Sequence, residues 1–199
     1  MLELFCGIAA QRLPEKENFM NRVFMIPPPF QVSDGTLVAP FLNARDCMSG
    51  LSFNLLEGVS LASGIINPRV KSKIQIMPHV TQITYVLGGL LEVRMKGKDD
   101  DVPYSKSVRA REAVITEAGA FLQLINNTDQ PCEVLYIVSP AYLFEMTDHE
   151  IAYDDSLVLD ESWNDLKMAG WRTKKSLPTL AERLAAYQRL EHKLVGYSH

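Results

Sequence analysis

Between Leu91 and Lys96 apolar and charged residues alternate without a break: Leu91, Val93 and Met95 fall on one side of an extended chain, and Glu92, Arg94 and Lys96 on the other. Successive side chains of a strand point to opposite faces, so this pattern specifies a strand with one buried face and one wet face. Gly88-Gly89 precedes it as a turn signal, and the run from Ile83 to Leu87 before that is rich in β-branched and aromatic residues. Similar runs recur at 113–116, 121–125 and 132–139, the last two separated by Asn126-Asn127-Thr128-Asp129-Gln130-Pro131, which is turn chemistry throughout. A shorter run, Val59 to Ile66, is closed by Asn67-Pro68. Many short strands with turns between them predict an all-β sandwich or barrel.

The flanks read differently. Residues 1–49 form an N-terminal extension, with a short amphipathic helix predicted at 2–12 and an extended stretch imposed by Pro27, Pro28 and Pro29. Asp34 to Ser49 holds turn residues and scattered apolar ones. The barrel is expected over 50–145 and a C-terminal extension over 146–199. Within that extension a helix is predicted at 179–195. Thr179 and Glu182 form a capping box at its start, Gly196 is its stop, and Leu180, Leu184, Tyr187, Glu191 and Leu194 share one side. Two long arms around one barrel point to a homodimer.

Composition narrows the partners. The formal net charge is −4 and no basic stripe is present, which argues against nucleic acid. Lys71 with Lys73, and Arg172 with Lys174 and Lys175, read as solvated surface. Cys6, Cys47 and Cys132 are odd in number and widely spaced, so a reducing cytoplasm is expected instead of a disulfide framework. The first ten residues are apolar but carry Glu3 and no early basic residue, unlike a signal peptide. No apolar run reaches the length of a membrane span.

The stretch from Pro68 to Pro140 resembles the cupin superfamily. Gln82 to Gly89 is similar to the end of the first cupin motif, with Gln82 where a glutamate belongs and Gly89 as the closing glycine. Pro68-Arg69 resembles the Pro-Gly that often opens that motif. Arg111 to Asn126 resembles the second motif: Glu117-Ala118-Gly119 replaces Pro-x-Gly, Leu122 stands at the histidine and Asn126 at the asparagine. The resemblance implies a jelly-roll barrel with a central site. In the family a metal is held there by histidines and a glutamate. Here the two first-motif histidine places fall on Gln75 and Met77, or with a shorter spacer on Ile76 and Pro78. None of these is an imidazole or carboxylate. Amide oxygens and thioethers hold zinc, iron or manganese poorly, so no metal and no other cofactor is expected.

The candidate ligand-binding residues are therefore Gln75, Met77, Gln82, Thr84, Leu122 and Leu124, with His79 as a candidate catalytic acid/base or substrate contact. Gln123, Tyr104 and Tyr136 are further polar candidates. Asp99 to Asp101 read as a solvated hairpin loop, and His149 between Asp148 and Glu150 reads as surface. The expected function is binding of a small molecule inside the barrel without metal, with isomerase-, epimerase- or cyclase-like proton chemistry open as an extension. A metal-dependent enzyme with an atypical centre and a non-catalytic ligand sensor are the alternatives. The residues leave open whether the chain is an enzyme.

Overall fold

The computed structural model describes residues 26–42, 58–146, 151–160, 162–168 and 176–195. The helix expected at 2–12, the cysteines Cys6 and Cys47, Trp171 and His149 lie outside these residues.

In chain order the strands are β1 (Phe30–Gln31), β2 (Leu37–Leu42), β3 (Ser60–Ile66), β4 (Ile74–Ile76), β5 (Thr81–Gly88), β6 (Leu90–Lys96) and β7 (Tyr104–Arg109). They continue with β8 (Ala113–Thr116), β9 (Phe121–Ile125), β10 (Cys132–Ser139), β11 (Phe144–Met146), β12 (Ile151–Asp154) and β13 (Leu157–Leu159), before the helices α1 (Trp163–Met168) and α2 (Leu180–Val195). A six-stranded antiparallel sheet runs β1-β2-β3-β10-β5-β8, and a five-stranded one runs β13-β4-β9-β6-β7. This is an all-β jelly roll with a C-terminal helix.

The alternation at 91–96 sets its register. Leu91, Val93 and Met95 are buried, and they pack with Val86, Val134, Val138, Leu122 and Leu124 in one core. Strand β9 is buried along its whole length, because both its faces are covered. Leu122 and Leu124 enter the core, while Phe121 and Gln123 lie beneath α1. There Trp163 Nε1 donates to Gln123 Oε1 at 2.7 Å, and Gln123 Nε2 donates to the Ser72 carbonyl at 2.6 Å. Arg94, on the wet face of β6, lies over the Trp163 ring at 5.2 Å.

Turn chemistry closes the barrel. Gly89 has φ +91°, and a Cβ there would lie 3.0 Å from the Pro131 carbonyl oxygen and 3.1 Å from Cys132 Cα. Glycine meets both demands at once. Asn126 is fully buried. Its Nδ2 donates to the carbonyls of Ile66 and Gln130 at 2.9 and 2.8 Å, and its Oδ1 accepts from the Thr128 amide at 3.0 Å. Arg69 and Arg111 take φ +61° and +72°, a conformation that favours glycine.

Both flanks supply strands. Residues 37–42, expected as loop, pair with β3 as β2, and 157–159 pair with β4 as β13. Their partners lie far away in sequence, so local pattern alone leaves them unmarked. Helix α2 begins at the expected capping box: the Thr179 amide donates to Glu182 Oε2 at 2.5 Å and the Glu182 amide to Thr179 Oγ1 at 3.2 Å. The apolar stripe read from the sequence faces the barrel only in part, through Tyr187. Leu180 and Leu184 are 60% and 56% exposed, whereas Arg183, Ala186 and Leu190 are buried against Leu143 and Tyr153. The reason is electrostatic. Arg183 donates through Nη1 to the fully buried Asp155 carboxylate, and through Nη2 to the Ala141 carbonyl at 2.8 Å. A buried carboxylate without its cation is costly, and this pairing rotates the helix. Among the described residues no helix is long and apolar enough to cross a membrane.

Candidate functional site

A cavity of about 450 Å³ opens between the two sheets. Val38, Pro40, Ala62, Met77, Val138 and Val158 give it aliphatic walls, and Phe30, Tyr136, Tyr142 and Phe144 give it aromatic ones. The strands contributed by the two flanks form much of it. The β1–β2 turn brings in Asp34 and Thr36, and β12 with β13 brings in Asp154, Ser156 and Val158.

The first polar cluster sits on the β12–β13 side. The Tyr142 hydroxyl donates to Asp154 Oδ1, and the Ser156 amide donates to the same oxygen at 2.9 Å. Oδ2 of Asp154 makes no hydrogen bond to a described residue. Burial, aided by the neighbouring Asp155 charge and opposed by the two hydrogen bonds, raises the Asp154 carboxyl to about 6. Burial, with the Asp154 charge and contact adding to it, pushes the Tyr142 phenol well above its usual value. Pairing of β13 with β4 sets Val158 opposite Gln75, and Ser156 Oγ donates to Gln75 Oε1 at 3.2 Å.

A second cluster lies around Tyr136. Its hydroxyl is buried and makes no hydrogen bond of ordinary geometry, although Thr36 approaches it. Burial, with the Asp34 charge adding to it, keeps this phenol protonated far above neutral pH. Thr36 is already engaged: its amide and hydroxyl both donate to Asp34 Oδ1, at 2.9 and 2.7 Å. The Tyr136 ring is held against β3 by the absence of a side chain at Gly64, where a Cβ would stand 2.4 Å from Tyr136 Cε2.

Of the residues expected from sequence, Gln75, Met77 and Gln82 line this cavity. Ile76 points the other way, into the cluster under α1. Gln82 Nε2 donates to Thr84 Oγ1 at 3.1 Å, while its carbonyl oxygen has no partner among the described residues. Thr84, Leu122 and Leu124 are packed in the interior and do not line the cavity wall. His79 is not among the lining residues either. Its Nε2 lies 2.8 Å from the Pro178 carbonyl, which can only accept, so this nitrogen carries the proton and ties the β4–β5 connection to the start of α2. Tyr104 is on the far edge strand and 43% exposed.

Sequence reasoning missed Asp34, Tyr142, Asp154 and Ser156. The adjacent carboxylates Asp154 and Asp155 were the available signal, but their separation into one facing the cavity and one facing Arg183 follows only from the β12–β13 corner.

Asp154, Ser156, Ser33, Ile151 and Val158 also line an outer groove of about 550 Å³ reaching Glu182, Ala185 and Arg189 of α2. The groove is thus continuous with the mouth of the cavity.

The family's metal would sit among Gln75, Met77, Gln82 and Leu122. These offer amides, a thioether and hydrocarbon, and no group of three His, Cys, Asp or Glu side chains converges among the described residues. Such donors do not fit a zinc, iron or manganese centre.

No protein-family model matches the chain, and no curated protein matches it. Solved structures do. The Lactobacillus farciminis oxalate decarboxylase formate complex matches with TM-score 0.50 at 14% identity, over 66% of this chain and 33% of that one. A recombinant oxalate oxidase in complex with glycolate matches with TM-score 0.50 at 20% identity, over 64% of this chain and 62% of that one. A Drosophila melanogaster CENP-C cupin domain matches with TM-score 0.45 at 15% identity, over 56% and 69%. This chain therefore spans a third of the decarboxylase and less than two thirds of the oxidase. At these identities the likeness is one of fold, and it agrees with the two sheets, the structural glycine and the buried asparagine described above. The chain has the fold of the cupin superfamily.

Proposed function

We propose that the chain is a metal-free receptor for a small, largely apolar molecule held inside the barrel, in a reducing compartment such as the cytoplasm. The observation that carries this reading is the buried Tyr136 hydroxyl, left without a hydrogen bond in the wall of a cavity of about 450 Å³. An unbonded buried hydroxyl costs about 1–3 kcal/mol, which a bound partner would recover. Cavities of this size, mostly apolar with a few convergent polar groups, suit drug-sized ligands.

Proton chemistry is available in the same place. A carboxyl at about 6, bonded to a phenol, changes protonation near neutral pH, as a general acid or base must. In this reading Asp154 with Tyr142 occupies the acid/base position first assigned to His79, whose ring is committed to Pro178. Removing a proton from a bound substrate and returning it elsewhere needs no oxidant, in keeping with isomerase-like chemistry.

Calorimetric titration with neutral aromatic alcohols of rising size tests the receptor. Binding to the wild type that is lost in Ala62→Leu, which fills the wall, supports it. Absence of binding across the series rejects it. Turnover of an identified ligand that is abolished in Asp154→Asn with binding retained makes the chain an enzyme; unchanged chemistry makes it a sensor. Stoichiometric transition metal in the purified protein would overturn the metal-free part. Leu180 and Leu184, exposed one turn apart on α2, support a homodimer, checked by sedimentation.

A further inference from the structure

Two acceptor oxygens stand open in the cavity wall, beside one open amide donor, Gln75 Nε2. Asp154 Oδ2 has no partner, because both bonds to that carboxylate fall on Oδ1. The Gln82 carbonyl oxygen has none, since its amide nitrogen alone is used. Tyr136 Oη, a protonated phenol, is buried and unbonded and can give or accept a bond. Open acceptors call for a ligand that donates, and an ammonium group offers three donors.

Charge points the same way. The carboxyls of Asp34 and Asp154 line the cavity, and no Lys, Arg or His does among the described residues. The charged neighbours are already paired. Behind Asp154, Asp155 is bonded to Arg183 and to the Tyr153 hydroxyl. From α2, Arg189 is bonded to Glu145, and Glu182 is engaged with Thr179 at the helix cap. The field at the cavity is therefore set by carboxylates. The rings of Tyr136, Tyr142, Phe144 and Phe30 add faces that attract a cation.

Resting on the receptor reading, we propose that the ligand is a compact amine whose ammonium group meets Asp154 and whose hydrocarbon body lies against the aromatic wall. An anionic carboxylate ligand, of the kind bound by the oxalate enzymes that share the fold, meets two carboxyls and no cation here. Burial takes the Asp154 carboxyl out of water and raises it to about 6, and no cation lines the cavity among the described residues. An ammonium supplies a counterion, so binding strengthens as the carboxyl ionises.

The experiment is calorimetric titration of the full chain with 2-phenylethylamine, 2-phenylethanol and 3-phenylpropionate, at pH 7.5 and pH 5.0. The amine is expected to bind at least about tenfold more tightly than the alcohol at pH 7.5. The propionate is expected not to bind. The amine's advantage over the alcohol should disappear at pH 5.0 and in Asp154→Asn. That substitution keeps an oxygen to accept from Tyr142 and Ser156, so the fold is retained. If the alcohol or the propionate binds as tightly as the amine, the amine assignment is overturned while the receptor stands. If none of the three binds, the receptor reading falls, and this assignment with it.

Discussion

The Tyr142 hydroxyl donates a hydrogen bond to Asp154, joining the residue that leads out of β10 to the end of β12 at the mouth of the barrel. The contact holds a carboxyl against the aromatic wall of the cavity.

The raised Asp154 carboxyl makes stability depend on pH. Its folded value of about 6 exceeds its unfolded value of 3.8. The protonated form is the one the fold prefers, so the contribution is complete below about pH 4 and is lost as pH rises through 6. The loss is on the order of 2–3 kcal/mol. Asp154→Asn, which cannot ionise, should flatten the curve. Urea midpoints measured from pH 4.5 to 7.5 check this: the wild type should fall relative to Asp154→Asn, and parallel curves would refute it.

The Asp155–Arg183 pair holds α2 to the barrel. Arg183→Met leaves a fully buried carboxylate that still accepts from the Leu143 amide and the Tyr153 hydroxyl but has lost its cation. A cost of about 3–5 kcal/mol is expected. Asp155→Asn combined with Arg183→Met should cost less than the sum of the single changes, read from a double-mutant cycle in urea.

Gly64→Ala should disturb the cavity from behind. The new methyl would overlap the Tyr136 ring, and the ring can yield only toward the cavity or along the strand. Overpacking of this kind costs about 1–3 kcal/mol. Weakened affinity for 2-phenylethanol together with a lowered melting temperature is the expected result. Unchanged affinity would show that Tyr136 does not shape the site.

Arg111 holds φ +72° at the place where the second motif begins. Arg111→Gly relieves roughly 1 kcal/mol of backbone strain, partly offset by the freer unfolded chain, and should raise the melting temperature by a few degrees or less. Arg69→Gly relieves similar strain but removes bonds to Asp129 at 2.8 Å and the Asn127 carbonyl at 2.6 Å. Its net effect should be smaller than that of Arg111→Gly, measured by thermal unfolding of both.

Much of the barrel was legible because its central strands carry their own period. Leu91, Val93 and Met95 announce a buried face, and Asn126 and Gly89 mark turns whose geometry few other residues satisfy. The rim was not legible. Residues 37–42 and 157–159 have no strong alternation, and they become strands because β3 and β4 offer them open edges. The barrel-facing side of α2 was not legible for a related reason: apolar residues mark Leu180 and Leu184, while one buried ion pair turns Arg183 inward.

By itself, then, the sequence determined a cupin-like barrel whose first-motif positions carry amides and hydrocarbon, because side-chain alternation and turn chemistry are local properties. Only the tertiary structure decided which groups face the cavity. Asp34 and Asp154 come from opposite flanks of the barrel sequence and Tyr136 from its last long strand, and their value as a site depends on burial, which exists only once distant strands have paired.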